Sequence, residues 1–132
     1  MTAPTPLLRV VVLVSGRGSN LRAIAARAAA GELAVRIEAV VSDRADAGAL
    51  EWARARGIVT SVLSPRDFAD REAYGRALGD IVESHAPQLV VLAGFMRILS
   101  DEFVLRFSGR MLNIHPSLLP RYAGLHTHRR AL

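Results

Sequence analysis

Asn113 and His115 are the two side chains whose types and spacing best suit chemistry. They follow the apolar pair Met111-Leu112, and Pro116 comes directly after them. If residues 110–114 form a buried strand, Asn113 faces one side of the sheet, and His115 falls where the strand opens into a loop. Open α/β sheets place their ligands at this carboxyl end of the strands. An amide can donate to a developing oxyanion and an imidazole can move a proton near neutral pH, which suits acyl-type transfer. The alternative is an Asn-His turn closed by proline.

The segment Ser15–Asn20, with the sequence Ser-Gly-Arg-Gly-Ser-Asn, is a second candidate site. It joins an aliphatic run to a segment in which apolar residues recur at helical spacing. Glycine permits positive φ and close approach of a ligand to the backbone, and the free N–H groups at a helix start favour phosphate. The turn therefore predicts a phosphate site, to which Ser19 and Asn20 add side-chain hydrogen bonds. A tight turn with a serine or asparagine cap is the alternative.

The same turn partly matches the G-x-G-x-x-G pattern of dinucleotide-binding folds. Leu21 stands where the third glycine belongs, and Asp43, just past the second predicted strand, could take the place of the ribose-binding acid. A plain nucleotide-binding module therefore stays open as an alternative, supported by Gly16, Gly18 and Asp43. A Walker A loop is excluded because no Gly-Lys pair follows the turn.

The composition excludes several kinds of site. The 132 residues contain no cysteine, which rules out a structural disulfide, a thiolate nucleophile and a cysteine-based metal site. All 17 basic residues are arginine, so Schiff-base chemistry and a phosphate-binding lysine are also excluded. No full set of metal ligands is apparent. The arginines are dispersed among acidic residues, which argues against a nucleic-acid partner and suits anionic small molecules.

The length fits one domain. No signal peptide or membrane span is predicted, because the apolar run at residues 10–14 is too short for either role. We therefore expect a cytoplasmic protein.

Apolar runs separated by glycine and proline predict alternating strands and helices. Strands are predicted at residues 7–14, 35–41, 58–63, 88–93 and 110–114. The first helix ends at Gly31, the second is capped by Asp46 and ends at Gly57, and the third ends before Pro87. Ser100 is predicted to cap a short fourth helix, and residues 127–132 to begin another. This alternation predicts an α/β fold, with a Rossmann-like, open, mostly parallel sheet flanked by helices.

Three segments of the chain resemble one family. They are SGRGSN at 15–20, LAGFMRILS at 92–100 and NIHPSLLPRYAGLHTHRRAL at 113–132. Together they closely resemble the phosphoribosylglycinamide formyltransferases, a folate-dependent formyltransferase family of purine synthesis, from about residue 7 to the last residue. In that family the chain continues beyond the position of Leu132 and supplies an aspartate that pairs with the catalytic histidine. Residues 1–132 are thus expected to be a single formyltransferase domain, the N-terminal portion of that fold, truncated at its C-terminus.

The resemblance implies transfer of a formyl group from 10-formyltetrahydrofolate, a co-substrate, to the amine of 5-phosphoribosylglycinamide, without a metal. Asn113 would bind the formyl oxygen and so contact the folate, and His115 would act as the acid–base residue. The ribose phosphate of the acceptor would be held by Gly18, Ser19 and Asn20. The folate pocket would be lined by Arg71, Met96, Arg97, Ile98 and Leu99.

The expected partners are these small molecules, without nucleic acid or membrane, and the protein is expected to be a monomer or a homodimer. Other interpretations stay open. Asn113 and His115 could also serve formyl transfer to initiator tRNA or hydrolysis of formyl-folate, and this portion of the fold could be inactive. Arg97 could be a structural arginine that satisfies loop carbonyls. By resemblance, His126 could lie near the substrates.

Overall fold

The computed structural model of the protein describes residues 6–114. Within them the strands are β1 (Leu8–Val14), β2 (Val35–Ser42), β3 (Val59–Val62), β4 (Leu89–Ala93) and β5 (Met111–Ile114). The α-helices are α1 (Ser19–Ala29), α2 (Gly48–Ala55), α3 (Arg71–Glu83) and α4 (Asp101–Arg106), and a 3₁₀ turn covers Pro65–Asp67. Every strand and helix predicted in this range is present. The helix predicted at residues 127–132 lies outside the described residues.

The five described strands form one parallel sheet in the order β3-β2-β1-β4-β5. The chain first adds β2 and β3 on one side of β1 and then places β4 and β5 on the other side. The strand order therefore reverses between β1 and β4, which is the position where open α/β sheets bind ligands beyond their carboxyl ends. The predicted Rossmann-like α/β fold is confirmed.

Helices cover both faces of the sheet, and the residues of β1 alternate between them. Val10, Val12 and Val14 pack with α1 and α2, whereas Val11 and Leu13 pack with α3 and α4. A central strand buried on both faces needs apolar side chains at every buried position, which explains the unbroken aliphatic run at residues 10–14 of β1. Each of these buried side chains contributes roughly 1.5–3 kcal/mol of hydrophobic stabilisation.

The prediction that Asp46 caps α2 is wrong. Ala47 occupies the N-cap position, and the Asp46 carboxylate accepts two hydrogen bonds of 3.1 Å from Nε and Nη2 of Arg44. This hydrogen-bonded pair lowers the pKa of Asp46. A bidentate guanidinium–carboxylate pair is stronger than a single bond from a helix N–H, so the neighbouring arginine takes the carboxylate. The first turn of α2 instead donates through the Ala49 N–H to the Gly16 carbonyl, at 3.1 Å.

The other predicted helix ends agree with the structure. Gly31 and Gly57 follow α1 and α2 with φ of +79° and +73°, and the Ser100 hydroxyl caps α4 by accepting from the Phe103 N–H at 3.1 Å. Asp70, which was not predicted as a cap, caps α3 by accepting from the Ala73 N–H at 2.8 Å. No helix within residues 6–114 combines the length and the apolar character needed to cross a membrane.

Replacing Gly75 with alanine tests the contact between α3 and α4. A Cβ at this position would overlap the Ser100 hydroxyl and lie 3.1 Å from the Ser100 Cβ, so either the cap or the helix packing must give way. We expect Gly75→Ala to lower the free energy of unfolding by about 1–3 kcal/mol, although alanine is the better helix former. Denaturant unfolding measures this loss.

Gly48→Ala is the matched control, because Gly48 also lies in a helix. Its added Cβ would meet nothing closer than the Arg17 Cα at 3.6 Å, which is an ordinary contact. The free energy of unfolding should stay within about 0.5 kcal/mol of the parent or rise, as helix propensity favours alanine. Equal losses in the two variants would contradict the role assigned to the Ser100 contact.

Candidate active site

The parallel sheet brings several polar residues to its carboxyl edge. Ser15 follows β1, Asp43 follows β2, the loop at residues 94–99 follows β4, and Asn113 lies near the end of β5. Ser15 and Asp43 are 6% and 3% exposed, so both are buried at this edge. These residues therefore lie along the edge of the sheet at which open α/β folds bind their ligands.

Gly18 shapes the glycine turn between β1 and α1. It occupies the N-cap position of α1 with φ of +80°, and no side chain caps this helix. A Cβ at Gly18 would lie 2.6 Å from the Ala49 Cβ, so α2 packs directly against the turn. The first turn of α1 contains no acidic residue. No acidic side chain of this 11-residue helix therefore opposes an anion at its positive end.

The side chain of Asn20, the last residue of this turn, forms its hydrogen bond with β5. It is 3% exposed, and its Nδ2 donates a hydrogen bond of 3.1 Å to the carbonyl of Ile114 at the end of β5. Its Oδ1 is buried without a partner among the described residues. The Asn20 carboxamide therefore links the glycine turn to the strand that bears Asn113. The neighbouring residue, Ser19, is exposed.

Asn113 lies in β5 with its side chain on the face covered by α3 and α4. It is in register with Leu92, and its neighbour two residues back, Met111, packs in the cluster on that face. Ile114 packs in the opposite cluster, as strand alternation requires. Asn113 is half-buried. His115, the predicted acid–base residue, lies outside the described residues, as does His126.

A cavity of about 460 Å³ lies between the start of α3 and the loop at residues 94–99. Its lining includes Arg71, Met96, Arg97 and Ile98, which are four of the five residues expected to line the folate pocket. Met96 and Ile98 are 79% and 73% exposed, so the cavity has an apolar surface open to solvent. Leu99 is not among the lining residues and packs instead against the core on the α3–α4 side.

Two side chains anchor the loop that lines this cavity. The Ser15 hydroxyl accepts a hydrogen bond of 2.8 Å from the Met96 N–H, and Arg97 donates from Nε to Oδ2 of Asp43 at 2.6 Å. The Asp43 side chain is 1% exposed and that of Arg97 is 47% exposed. Arg97 thus pairs with a buried carboxylate rather than with loop carbonyls.

The same pair bears on the nucleotide-binding alternative. An acid that binds ribose hydroxyls at the end of β2 must present its carboxylate to the ligand. The Asp43 carboxylate is buried, and one of its oxygens is held by Arg97. Asp43 is therefore an anchor for the loop, and the feature that suggested a dinucleotide site has another function in this fold.

Tyr74 lines the cavity as well but is not suited to proton transfer. Burial raises the pKa of Tyr74, and the nearby Asp43 charge raises it further. The hydroxyl therefore stays protonated, and it donates to the Leu63 carbonyl at 2.9 Å. The helical spacing of Tyr74 in the sequence is that of a core residue and does not indicate the cavity.

Comparison with known proteins gives consistent matches. A family model described as formyl transferase matches residues 8–132. The phosphoribosylglycinamide formyltransferase of Escherichia coli K12 is 54% identical over 125 residues, which cover 95% of this chain and 59% of that protein. The protein of the same name from Haemophilus influenzae is 43% identical over 124 residues, covering 94% of this chain and 58% of its own length.

Solved structures agree with these matches. A phosphoribosylglycinamide formyltransferase from Coxiella burnetii has a TM-score of 0.79 and 48% identity, covering 95% of this chain and 59% of that one. The chain thus spans about three fifths of the length of these relatives.

Gly18→Ala tests whether the turn needs its left-handed glycine. A side chain at φ of +80° costs about 1–2 kcal/mol, and the overlap with Ala49 adds roughly 1–3 kcal/mol. We expect the free energy of unfolding to fall by at least about 2 kcal/mol in denaturant titrations.

Gly16→Ala is the control within the same turn. An added Cβ at Gly16 meets nothing within 4 Å, and its φ is not in the left-handed region. Its free energy of unfolding should change by less than about 0.5 kcal/mol. If Gly18→Ala were equally mild, the close packing of α2 on the turn would be wrong.

Proposed function

The chain belongs to the formyl transferase family, and on that premise we propose that the whole protein transfers a formyl group from 10-formyltetrahydrofolate to the amine of 5-phosphoribosylglycinamide. Residues 1–132 then form part of a single formyltransferase domain acting on small molecules in the cytoplasm. One observation carries the proposal. Arg71, Met96, Arg97 and Ile98 line a single cavity, and Asn113 lies on the face of the sheet that α3 covers.

The acceptor binds, in this proposal, through its phosphate at the start of α1. Gly18, Ser19 and Asn20 present main-chain N–H groups there, and the helix dipole favours the negative charge. The buried Asn20 carboxamide donates to Ile114, so this residue contributes its main chain to the phosphate. The exposed hydroxyl of Ser19 remains available as a further donor.

The folate binds along the 460 Å³ cavity. The exposed side chains of Met96 and Ile98 provide apolar surface for its aromatic portion, and Arg71 provides positive charge for its carboxylates. Leu99 supports the loop from the core side. The formyl group then lies toward the end of β5, within reach of the Asn113 amide.

The chemistry requires an oxyanion donor and a proton carrier. The acceptor amine attacks the formyl carbon, a C–N bond forms, and the carbonyl oxygen becomes an oxyanion. Asn113 donates a hydrogen bond to that oxyanion. His115 moves a proton from the attacking amine toward the folate nitrogen, whose bond to carbon breaks as the carbonyl re-forms.

Removing the amide of Asn113 tests its assignment as oxyanion donor. In the full-length protein we expect Asn113→Ala to lower kcat by about 10²–10³-fold, the usual effect of losing one such donor. The KM for the acceptor should change little, because its phosphate binds at the glycine turn. Steady-state kinetics with both substrates varied measure the two constants.

Gln88→Ala is the matched control for Asn113→Ala. Gln88 is also an amide beside a strand, but it precedes β4 at the opposite edge of the sheet, where its Oε1 accepts from the Arg9 N–H at 3.0 Å. Its kcat should equal that of the parent. Comparable losses in both variants would show that Asn113 acts on the fold rather than on the reaction.

A panel of formyl acceptors tests the reaction itself. We expect 5-phosphoribosylglycinamide to be formylated, with neither initiator tRNA nor water as an efficient acceptor. His115→Ala should abolish turnover, by about 10²–10⁴-fold for the loss of an acid–base group, yet retain binding of the phosphorylated acceptor by calorimetry. Normal turnover in His115→Ala, or preference for another acceptor, would overturn the proposal.

A further inference from the structure

Asn20 has a contact that phosphate binding does not explain. Its Nδ2 donates to the carbonyl of Ile114, 94 residues away in the sequence, across a distance of 3.1 Å. Ile114 lies between Asn113 and His115, so this single bond reaches the peptide between the two residues assigned to the reaction. The bond is buried, because Asn20 is 3% exposed and Ile114 is 5% exposed.

Stability alone does not account for an asparagine at this position. The Asn20 Oδ1 is buried without a partner among residues 6–114, and an unpaired buried polar atom costs about 1–3 kcal/mol. Asn20 is the only buried side chain of α1 that is polar; Leu21 and Ile24 are the others. A buried carboxamide that bonds β5 through one atom and has no partner within residues 6–114 for the other calls for an explanation.

We infer that Asn20 is a positioning residue of the formyl-transfer site. This inference rests on the proposed function and assigns the Asn20 side chain to β5 rather than to the acceptor phosphate. By holding the Ile114 carbonyl, the carboxamide fixes the direction in which the chain leaves β5, because the peptide unit is planar. The same residue offers its main-chain N–H to the phosphate, so the acceptor and Asn113 keep a constant separation.

The expected consequence is a loss of rate rather than of binding. A displacement of about 1 Å between reacting groups costs about 10²-fold in rate. In the full-length protein we expect Asn20→Ala to lower kcat by about 10²-fold and to change the acceptor KM by less than about threefold. Ser19→Ala in the same turn is expected to act chiefly on the acceptor KM.

Asn20→Leu separates this role from a structural one. Leucine keeps the number and branching of the side-chain heavy atoms of asparagine, removes the donor and also removes the unpaired Oδ1. We expect its melting temperature to stay near that of the parent while its kcat falls as in Asn20→Ala. Gln88→Ala, which removes a side-chain to main-chain bond at the opposite edge of the sheet, should retain full kcat.

Hydrogen exchange provides a readout that does not depend on activity. Peptides covering residues 111–114 should exchange severalfold faster in Asn20→Leu than in the parent, while peptides of β1 stay unchanged. Three results would overturn the inference: unchanged exchange in β5, an unchanged kcat, or a loss confined to the acceptor KM. Absence of formyl transfer in the parent would refute the proposed function instead, and the exchange result would still decide the role of Asn20.

Discussion

The arrangement of the site depends on hydrogen bonds at both ends of the glycine turn. At its start, the Ser15 hydroxyl accepts from the Met96 N–H and holds the loop that lines the cavity. At its end, Asn20 donates to the Ile114 carbonyl and holds the strand that bears Asn113. The turn itself follows β1, whose residues 10–14 are no more than 1% exposed. The most deeply buried part of the fold therefore fixes the relative positions of the glycine turn, the loop at residues 94–99 and β5.

This arrangement places buried polar groups where an apolar core would be more stable. The Asp43 side chain is 1% exposed and pairs with Arg97, yet its Oδ1 has no partner within the described residues. Buried ion pairs often stabilise a fold less than apolar residues of the same size, and breaking one is costly. The pair is therefore better understood as a constraint on the loop at residues 94–99 than as a source of stability. Functional sites are typically less stable locally, because their side chains must keep a fixed geometry.

The fold could be predicted from the sequence because its signals are local. The central strands β1 and β4 are mostly aliphatic runs of the right length, and Gly31 and Gly57 end helices through the left-handed conformation that they adopt. The one cap that was assigned incorrectly, Asp46, also failed for a local reason, the arginine two residues earlier. The pairing of Asp43 with Arg97 and of Ser15 with Met96 joins residues 54 and 81 positions apart, and no periodicity encodes such contacts. The resemblance implied the lining residues, and the structure adds that Leu99 is partly buried and packs against the core.

The electrostatics of the cavity follow from these long-range contacts. Arg97 and Arg71 both line it, and sequence alone gives them equal weight as ligands for an anionic substrate. The buried Asp43 carboxylate offsets the charge of Arg97, whereas Arg71 forms no ion pair within residues 6–114. Arg71, in the first turn of α3, is therefore the cavity arginine without an ion-pair partner in that range, and Asp70 also lines the cavity. Arg97 is held by Asp43, and under the proposed function recognition of substrate carboxylates falls mainly to Arg71.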